Sequence, residues 1–293
     1  MSVLIGAADL LARPDRAVLL DVRWALGDDR GRERYLSGHL PGAVFVDLET
    51  ELADPPSPAG GRHPLPSVQR LQSSARRWGI RQGDAVVVYD ATGGLAAARA
   101  WWLLRWGGLT DVRILDGGLD SWVGAGGSLD RGNVVPEPGN VILSGGGMPV
   151  LTIDEAAALP ASGGVLLDAR AGERYRGEVE PIDPRAGHVP GAVSAPTTEN
   201  LRPGGAFRST DELTERFASL GVSLGTSVGV YCGSGVTAAH EVAALAEAGI
   251  EAALWPGSWS QWSSDPDRPA VTGPEPSVQE LEPEDAADYP GQQ

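Results

Sequence analysis

The stretch VGVYCGSGVTAAHEVAAL, Val228 to Leu245, holds the chain's only cysteine, Cys232. Val228 to Tyr231 read as a short buried strand. The Ala-, Val- and Leu-rich run from Ala238 to Leu245 reads as a helix. Between them lies Cys-Gly-Ser-Gly-Val-Thr. A strand, a glycine turn and a helix N-terminus together form an anion cradle, because the first helical N–H groups have no partner in the helix and the helix dipole favours negative charge. A cysteine at the mouth of such a turn is expected to be a thiolate. Gly233 and Gly235 leave the loop N–H groups unobstructed, and the positions Gly233, Ser234, Gly235, Val236 and Thr237 are expected to cradle the sulfur. With no second cysteine, the chain can form no internal disulfide, CxxC redox pair or multi-cysteine zinc site.

Working outward, the 293 residues suffice for two ordinary domains. The net charge of −16 argues against nucleic acid as a partner. All 23 basic residues are arginine, which excludes a lysine Schiff base. No apolar run reaches the length of a membrane span. The first residues lack a basic leader and carry Asp9 early, so no secretory signal is expected. With a single reactive cysteine, this predicts a reducing cytoplasm. No cofactor or metal is expected.

Landmarks of the Cys232 region recur upstream. Asp21 matches Asp168, His39 matches His188, Asp90 matches Cys232 and Trp122 matches Trp262, in the same order and at offsets of 140 to 149 residues. Strands alternate with helices in both halves. The prediction is an α/β protein of two similar domains, each a mostly parallel sheet with helices on both faces, and with ligands at the carboxyl ends of the strands. The expected divisions are an N-terminal domain at 1–128, a Gly/Pro-rich linker at 129–150, a C-terminal catalytic domain at 151–266 and an acidic, disordered tail at 267–293. Ser67, and Ser209 with Glu212, read as helix caps. VRILDGGLDSW (112–122) reads as a strand and turn. The nine tryptophans are expected in the core and domain interface.

The repeated LDxR, GHxPGA and DGSW-like elements, with a cysteine in the second copy only, resemble the tandem rhodanese sulfurtransferases over roughly residues 1–265. The CGSGVT loop resembles their 3-mercaptopyruvate branch. The thiosulfate branch has two basic residues where this chain has Gly233 and Ser234. The resemblance implies that Cys232 takes a sulfane sulfur from a small donor, becomes a persulfide and passes the sulfur to cyanide, a thiol or a thioredoxin-like protein. It implies a silent N-terminal domain, with Asp90 at the cysteine position. It places Ser234, His63 and Asp47 together as a proton-handling triad, since departing pyruvate enolate needs a proton. It makes Arg174 the grip on the donor carboxylate. Pro181 stands where some relatives have a second arginine, and Arg185 is the expected replacement. His39 and His188, in the GHxPGA turns, are expected to be structural.

Three alternatives compete with this reading. A cysteine phosphatase would need an arginine six residues after Cys232, where Ala238 stands, and no arginine occurs from Val222 to Asp267. A thiosulfate:cyanide sulfurtransferase would use the same site. A non-enzymatic persulfide carrier or sensor would keep Cys232 without needing the proton relay.

Overall fold

The computed structural model describes residues 2–13 and 17–276. Five parallel strands form the N-terminal sheet: β1 (Leu4–Ile5), β2 (Ala17–Asp21), β3 (Val44–Phe45), β4 (Ala85–Tyr89) and β5 (Val112–Leu115), in the order β1-β5-β4-β2-β3. Four parallel strands form the C-terminal sheet: β6 (Val165–Asp168), β7 (Val193–Ser194), β8 (Val228–Tyr231) and β9 (Ala253–Leu254), in the order β7-β6-β8-β9. The central strands AVVVY and VGVY are buried almost throughout, as parallel strands covered by helices must be. Asp90 and Cys232 each follow directly, at the carboxyl end of the central strand.

The repeated motifs share their wiring. Asp21 pairs with Arg23 at 2.9 Å and Asp168 with Arg170 at 2.6 Å. Each arginine then donates to the glycine carbonyl before a GHxPGA histidine, Gly38 and Gly187, both at 2.6 Å. LDxR is thus a clamp from strand end to turn. His39 stacks on Tyr35 and His188 on Tyr175. Both histidines are fully buried and bond backbone carbonyls, so neither faces the Cys232 loop.

The helices Ala97–Trp106 and Thr237–Glu247 start just beyond these loops and pack on each other, so one apolar cluster runs through both domains. Ser67 caps Val68–Arg77, and Ser209 with Glu212 forms a capping box on Thr210–Ser219. The residues after β5 depart from the expected turn, and those after β9 match them. They form short helices, Gly118–Gly124 and Ser258–Trp262, because each must turn back over a central-strand loop. Leu119 N–H donates to Asp90 O and Trp259 N–H to Cys232 O, both at 2.9 Å.

The segment 129–150 packs along the N-terminal domain, with Val141 and Leu143 buried, and joins the second domain through a parallel bridge of Val150 to Leu254. The disordered tail expected at 267–293 is corrected at its start. Val271 bridges to His188 in both directions, at 2.8 and 3.0 Å, and Trp262 donates to Pro269 O at 2.8 Å. The Val271 bonds fasten the chain to the GHxPGA turn, and the Pro269 bond fastens it to Trp262. The rest of that tail, 277–293, lies outside the described residues.

Candidate active site

Cys232 leaves β8 buried, 2 % exposed. Its N–H is held by Ser258 Oγ at 3.2 Å, and Gly235 N–H donates to its Sγ at 3.1 Å. Ser258 has φ +53°, the one described non-glycine residue with positive φ, so the chain holds a strained backbone at the loop's back wall. Gly235 also requires its residue type: it has φ +76°, and a Cβ there would meet Pro256 O at 2.5 Å. Among the described residues, the N–H groups of Gly233, Ser234, Val236 and Thr237 have no protein acceptor. They are the unspent donors of the cradle.

Ser234 stands beside Cys232, 6 % exposed. Its Oγ lies 2.7 Å from His63 Nδ1, across the domain interface. His63 Nε2 lies 3.1 Å from Glu49 Oε2. A carboxylate can only accept, so Nε2 carries the proton and donates to Glu49, and Nδ1 accepts from the Ser234 hydroxyl. Burial holds the His63 pKa below the usual histidine value; Glu49 pulls it up, while Arg99 and Arg62 push it down. His63 is therefore neutral at pH 7.

The expected carboxylate, Asp47, is not the one on His63. Asp47 is the N-cap of the helix Leu48–Glu51. Its side chain accepts from Thr50 N–H at 3.3 Å, and its own N–H donates to Glu51. Two positions further on, a side chain points to the other side of the helix, and that residue is Glu49. Trp24 steadies it, donating from Nε1 to Glu49 Oε1 at 2.6 Å and meeting His63 edge-on.

Arg174 reaches the loop. A Cβ added at Gly233 would lie 3.4 Å from Arg174 Nη1 and 3.2 Å from Arg62 Nη2. Arg62, next to His63 in sequence, comes from the other domain. Both guanidiniums bond Asp183, Arg62 at 2.6 Å and Arg174 at 3.2 Å, and Glu180 takes a further edge of Arg174. Their remaining N–H groups flank Gly233.

Arg185 does not join them, which corrects the second expected substrate arginine. Its guanidinium donates to the carbonyls of Ser263 (3.0 Å), Trp262 (2.9 Å), Arg268 (2.7 Å) and Asp265. Those carbonyls close the turn after the helix Ser258–Trp262, and they use the planar fork that a substrate would need. Trp259 is fully buried under Arg170 and donates to Arg185 O at 2.9 Å.

Sequence reasoning missed Glu49, Trp24 and Arg62. The adjacency of Arg62 to His63 was the one available signal. Among the described residues no cluster of His, Cys, Asp and Glu could hold a metal, and no helix is long and apolar enough to cross a membrane.

The rhodanese-like domain family matches residues 6–125 and 152–265. A Mycobacterium tuberculosis protein, provisionally named thiosulfate sulfurtransferase SseB, is 51 % identical over 280 residues, covering 92 % of this chain and 97 % of the relative. A Pseudomonas aeruginosa protein, provisionally named 3-mercaptopyruvate sulfurtransferase, is 47 % identical, covering 92 % and 98 %. The crystal structure of SseA from Escherichia coli, a 3-mercaptopyruvate sulfotransferase, superposes with a TM-score of 0.79 at 36 % identity, covering 89 % of this chain and all of that one.

Proposed function

We propose that this chain, which belongs to the rhodanese family, is a sulfurtransferase that moves a sulfane sulfur from 3-mercaptopyruvate through a Cys232 persulfide to a thiol, a thioredoxin-like protein or cyanide. The Cys232 thiolate attacks the donor's sulfur. The carbon–sulfur bond breaks, and its electron pair leaves on carbon as pyruvate enolate. The donor's thiol proton ends on the methyl of pyruvate, and the persulfide keeps the negative charge. Ser234 and His63 are the route for that proton, with Glu49 fixing the tautomer. The unspent loop N–H groups receive the outer sulfur. Arg174 and Arg62 hold the donor carboxylate over Gly233. The acceptor's thiolate or cyanide then attacks the outer sulfur and restores the Cys232 thiolate. The N-terminal domain does no chemistry at Asp90. A lone nucleophilic cysteine works in a reducing compartment, and the same reading assigns the protein to the cytoplasm.

The observation that carries this reading is the 2.7 Å contact between His63 and Ser234 beside Cys232. Transfer from thiosulfate releases sulfite and needs no proton, so it gives such a relay nothing to do. One observation favours thiosulfate as a second reading: Arg62 and Arg174 bring to Gly233 the positive charge that the loop itself lacks. Steady-state kcat/KM for both donors on one preparation separates the two. The first reading expects 3-mercaptopyruvate to be preferred by about tenfold or more, roughly 1.4 kcal/mol. A preference for thiosulfate would overturn it, and absence of turnover with both would leave a persulfide carrier.

A further inference from the structure

Arg99 is the third residue of the helix Ala97–Trp106 and is fully buried between the domains. Nη1 donates to Gly235 O at 3.1 Å, Nη2 to His63 O at 2.9 Å and Nε to Leu52 O at 3.3 Å. Its partners are all carbonyls. Among the described residues no carboxylate accepts from it. A buried cation without a counter-charge is costly, because carbonyl dipoles replace water incompletely.

The duplication sharpens the anomaly. The offset that relates Asp90 to Cys232 relates Arg99 to Glu241, on the partner helix Thr237–Glu247. Glu241 is equally buried, but it is balanced: Arg216 lies at 3.1 Å and Asn200 donates to it at 2.6 Å. Across the interface, Gly235, whose carbonyl Arg99 holds, donates its own N–H to Cys232 Sγ at 3.1 Å, which places the guanidinium one residue behind the sulfur's hydrogen-bond donor. Burial draws the Arg99 pKa down to about 10, and the Cys232 sulfur pushes it back up, so the guanidinium stays charged at neutral pH. The other cations near the Cys232 loop, Arg62 and Arg174, are partly exposed and already share Asp183 and Glu180. Water screens them, whereas nothing screens Arg99.

We propose that Arg99 is a positioning residue of the reaction, the buried counter-charge of the sulfur anion that Cys232 carries as thiolate and, on the function proposed above, as persulfide. One charge serves both half-reactions, because the anion keeps a single negative charge when the sulfur is added. The same side chain ties the His63 carbonyl to the Gly235 carbonyl, which fixes the relay against the loop.

The test is the rate at which iodoacetamide alkylates Cys232, the sole thiol, at pH 7 in the full chain. Arg99→Gln keeps an amide donor for a carbonyl but loses the charge, and it should slow alkylation by about tenfold or more. Arg99→Lys keeps the charge and should stay within about threefold of wild type. Thermal melts check folding, and Arg99→Met takes the place of Arg99→Gln if that variant does not fold. The kcat for both donors should fall with the alkylation rate, at nearly constant KM. Wild-type alkylation in Arg99→Gln, or Arg99→Lys no faster than Arg99→Gln, would overturn the proposal. Alkylation needs no sulfur donor. A protein that shows the expected alkylation pattern but moves no sulfur would therefore defeat the functional reading and leave Arg99 standing.

Discussion

In the N-terminal domain the turn after β4 closes on its own carboxylate. Asp90 Oδ1 accepts from the N–H groups of Thr92 and Gly94, both at 2.8 Å, and Oδ2 from those of Ala96 and Ala97, at 2.8 and 3.0 Å. In the C-terminal domain the matching turn spends a single N–H, that of Gly235, on Cys232 Sγ. Both turns sit between a central strand and an interface helix, and both are roofed by a short helix from the next strand. One has a built-in anion and the other has room for one. Asp90 therefore does more than lack sulfur chemistry: its carboxylate occupies the place where a sulfur anion would sit. The Asp90 domain still reaches the other domain's loop, because it brings His63, Glu49, Arg62 and Arg99 to it.

The comparison breaks most readily at the cysteine. Cys232→Ser should lose sulfur transfer by at least about three orders of magnitude, since a hydroxyl at pH 7 supplies no comparable anion. After exposure to donor, the wild-type intact mass should rise by one sulfur atom, removable by cyanide. Substantial turnover by the serine variant would sink the mechanism. Cys232→Asp sharpens the contrast: it should be equally dead yet fold, because a carboxylate can satisfy the same donors that Asp90 satisfies.

Emptying the closed turn is the next test. Asp90→Ala leaves four N–H groups without their acceptor, and charge-assisted hydrogen bonds contribute about 1.5–3 kcal/mol each before relaxation and water recover part of it. A loss of roughly 3–4 kcal/mol in a denaturant titration is expected. A loss below about 1 kcal/mol would show that the cradle does not depend on its anion. Asp90→Cys should not create a second transfer site.

The relay separates the donors. His63→Ala should lower kcat for 3-mercaptopyruvate by about a hundredfold and change thiosulfate transfer little. An equal loss with both donors would remove the proton role. Burial holds the His63 pKa below the ordinary value near 6.5. On the proposed function the neutral form is the active one, so kcat for 3-mercaptopyruvate should persist as pH falls through 6.5 and decline only below it. An amide can donate as well as accept, so Glu49→Gln no longer fixes the His63 tautomer and should cost about tenfold.

These side chains were unequally legible in the sequence. Cys232, Ser234 and the strand around them announce themselves because one short run holds strand, turn and helix start. The two-domain architecture follows from four repeated landmarks. Arg62 and Arg99 could not be found that way, because their partners lie in the other domain and no local period encodes the docking of one domain on another. Arg185 misled for the opposite reason: it is near Arg174 in sequence, but its fork is spent on four carbonyls of the turn after Trp262. The helix Ser258–Trp262 is only five residues long, too short for a periodicity to show.

Arg62 and Arg174 test how far the two domains share the donor. Either residue changed to Ala should raise the KM for 3-mercaptopyruvate by about tenfold, roughly 1.4 kcal/mol, with kcat changed less. Arg185→Ala should instead lower the melting temperature and leave KM alone. A KM effect confined to Arg174 would remove the N-terminal domain from substrate binding.

The smallest expected effect decides between two carboxylates two residues apart. Asp47 and Glu49 both lie in DLETE, and a sequence reading prefers Asp47. In the fold Asp47 acts locally, since its side chain accepts the Thr50 N–H and begins a single helical turn. Loss of such a cap typically costs about 1 kcal/mol, which for a chain of this size is a fall of about 2–4 °C in Tm. Asp47→Ala should therefore be slightly less stable and keep kcat for 3-mercaptopyruvate within about twofold, since the His63 tautomer is set by Glu49. Glu49→Gln should show the reverse, a normal Tm with impaired kcat, because Glu49 is half exposed and its bonds to His63 and Trp24 serve the site more than the fold. The two variants form a crossed pair. If Asp47→Ala lost activity and Glu49→Gln kept it, the hydrogen bond from His63 to Glu49 would be incidental to the reaction, and the short helix would have to rearrange on donor binding to bring Asp47 to the ring.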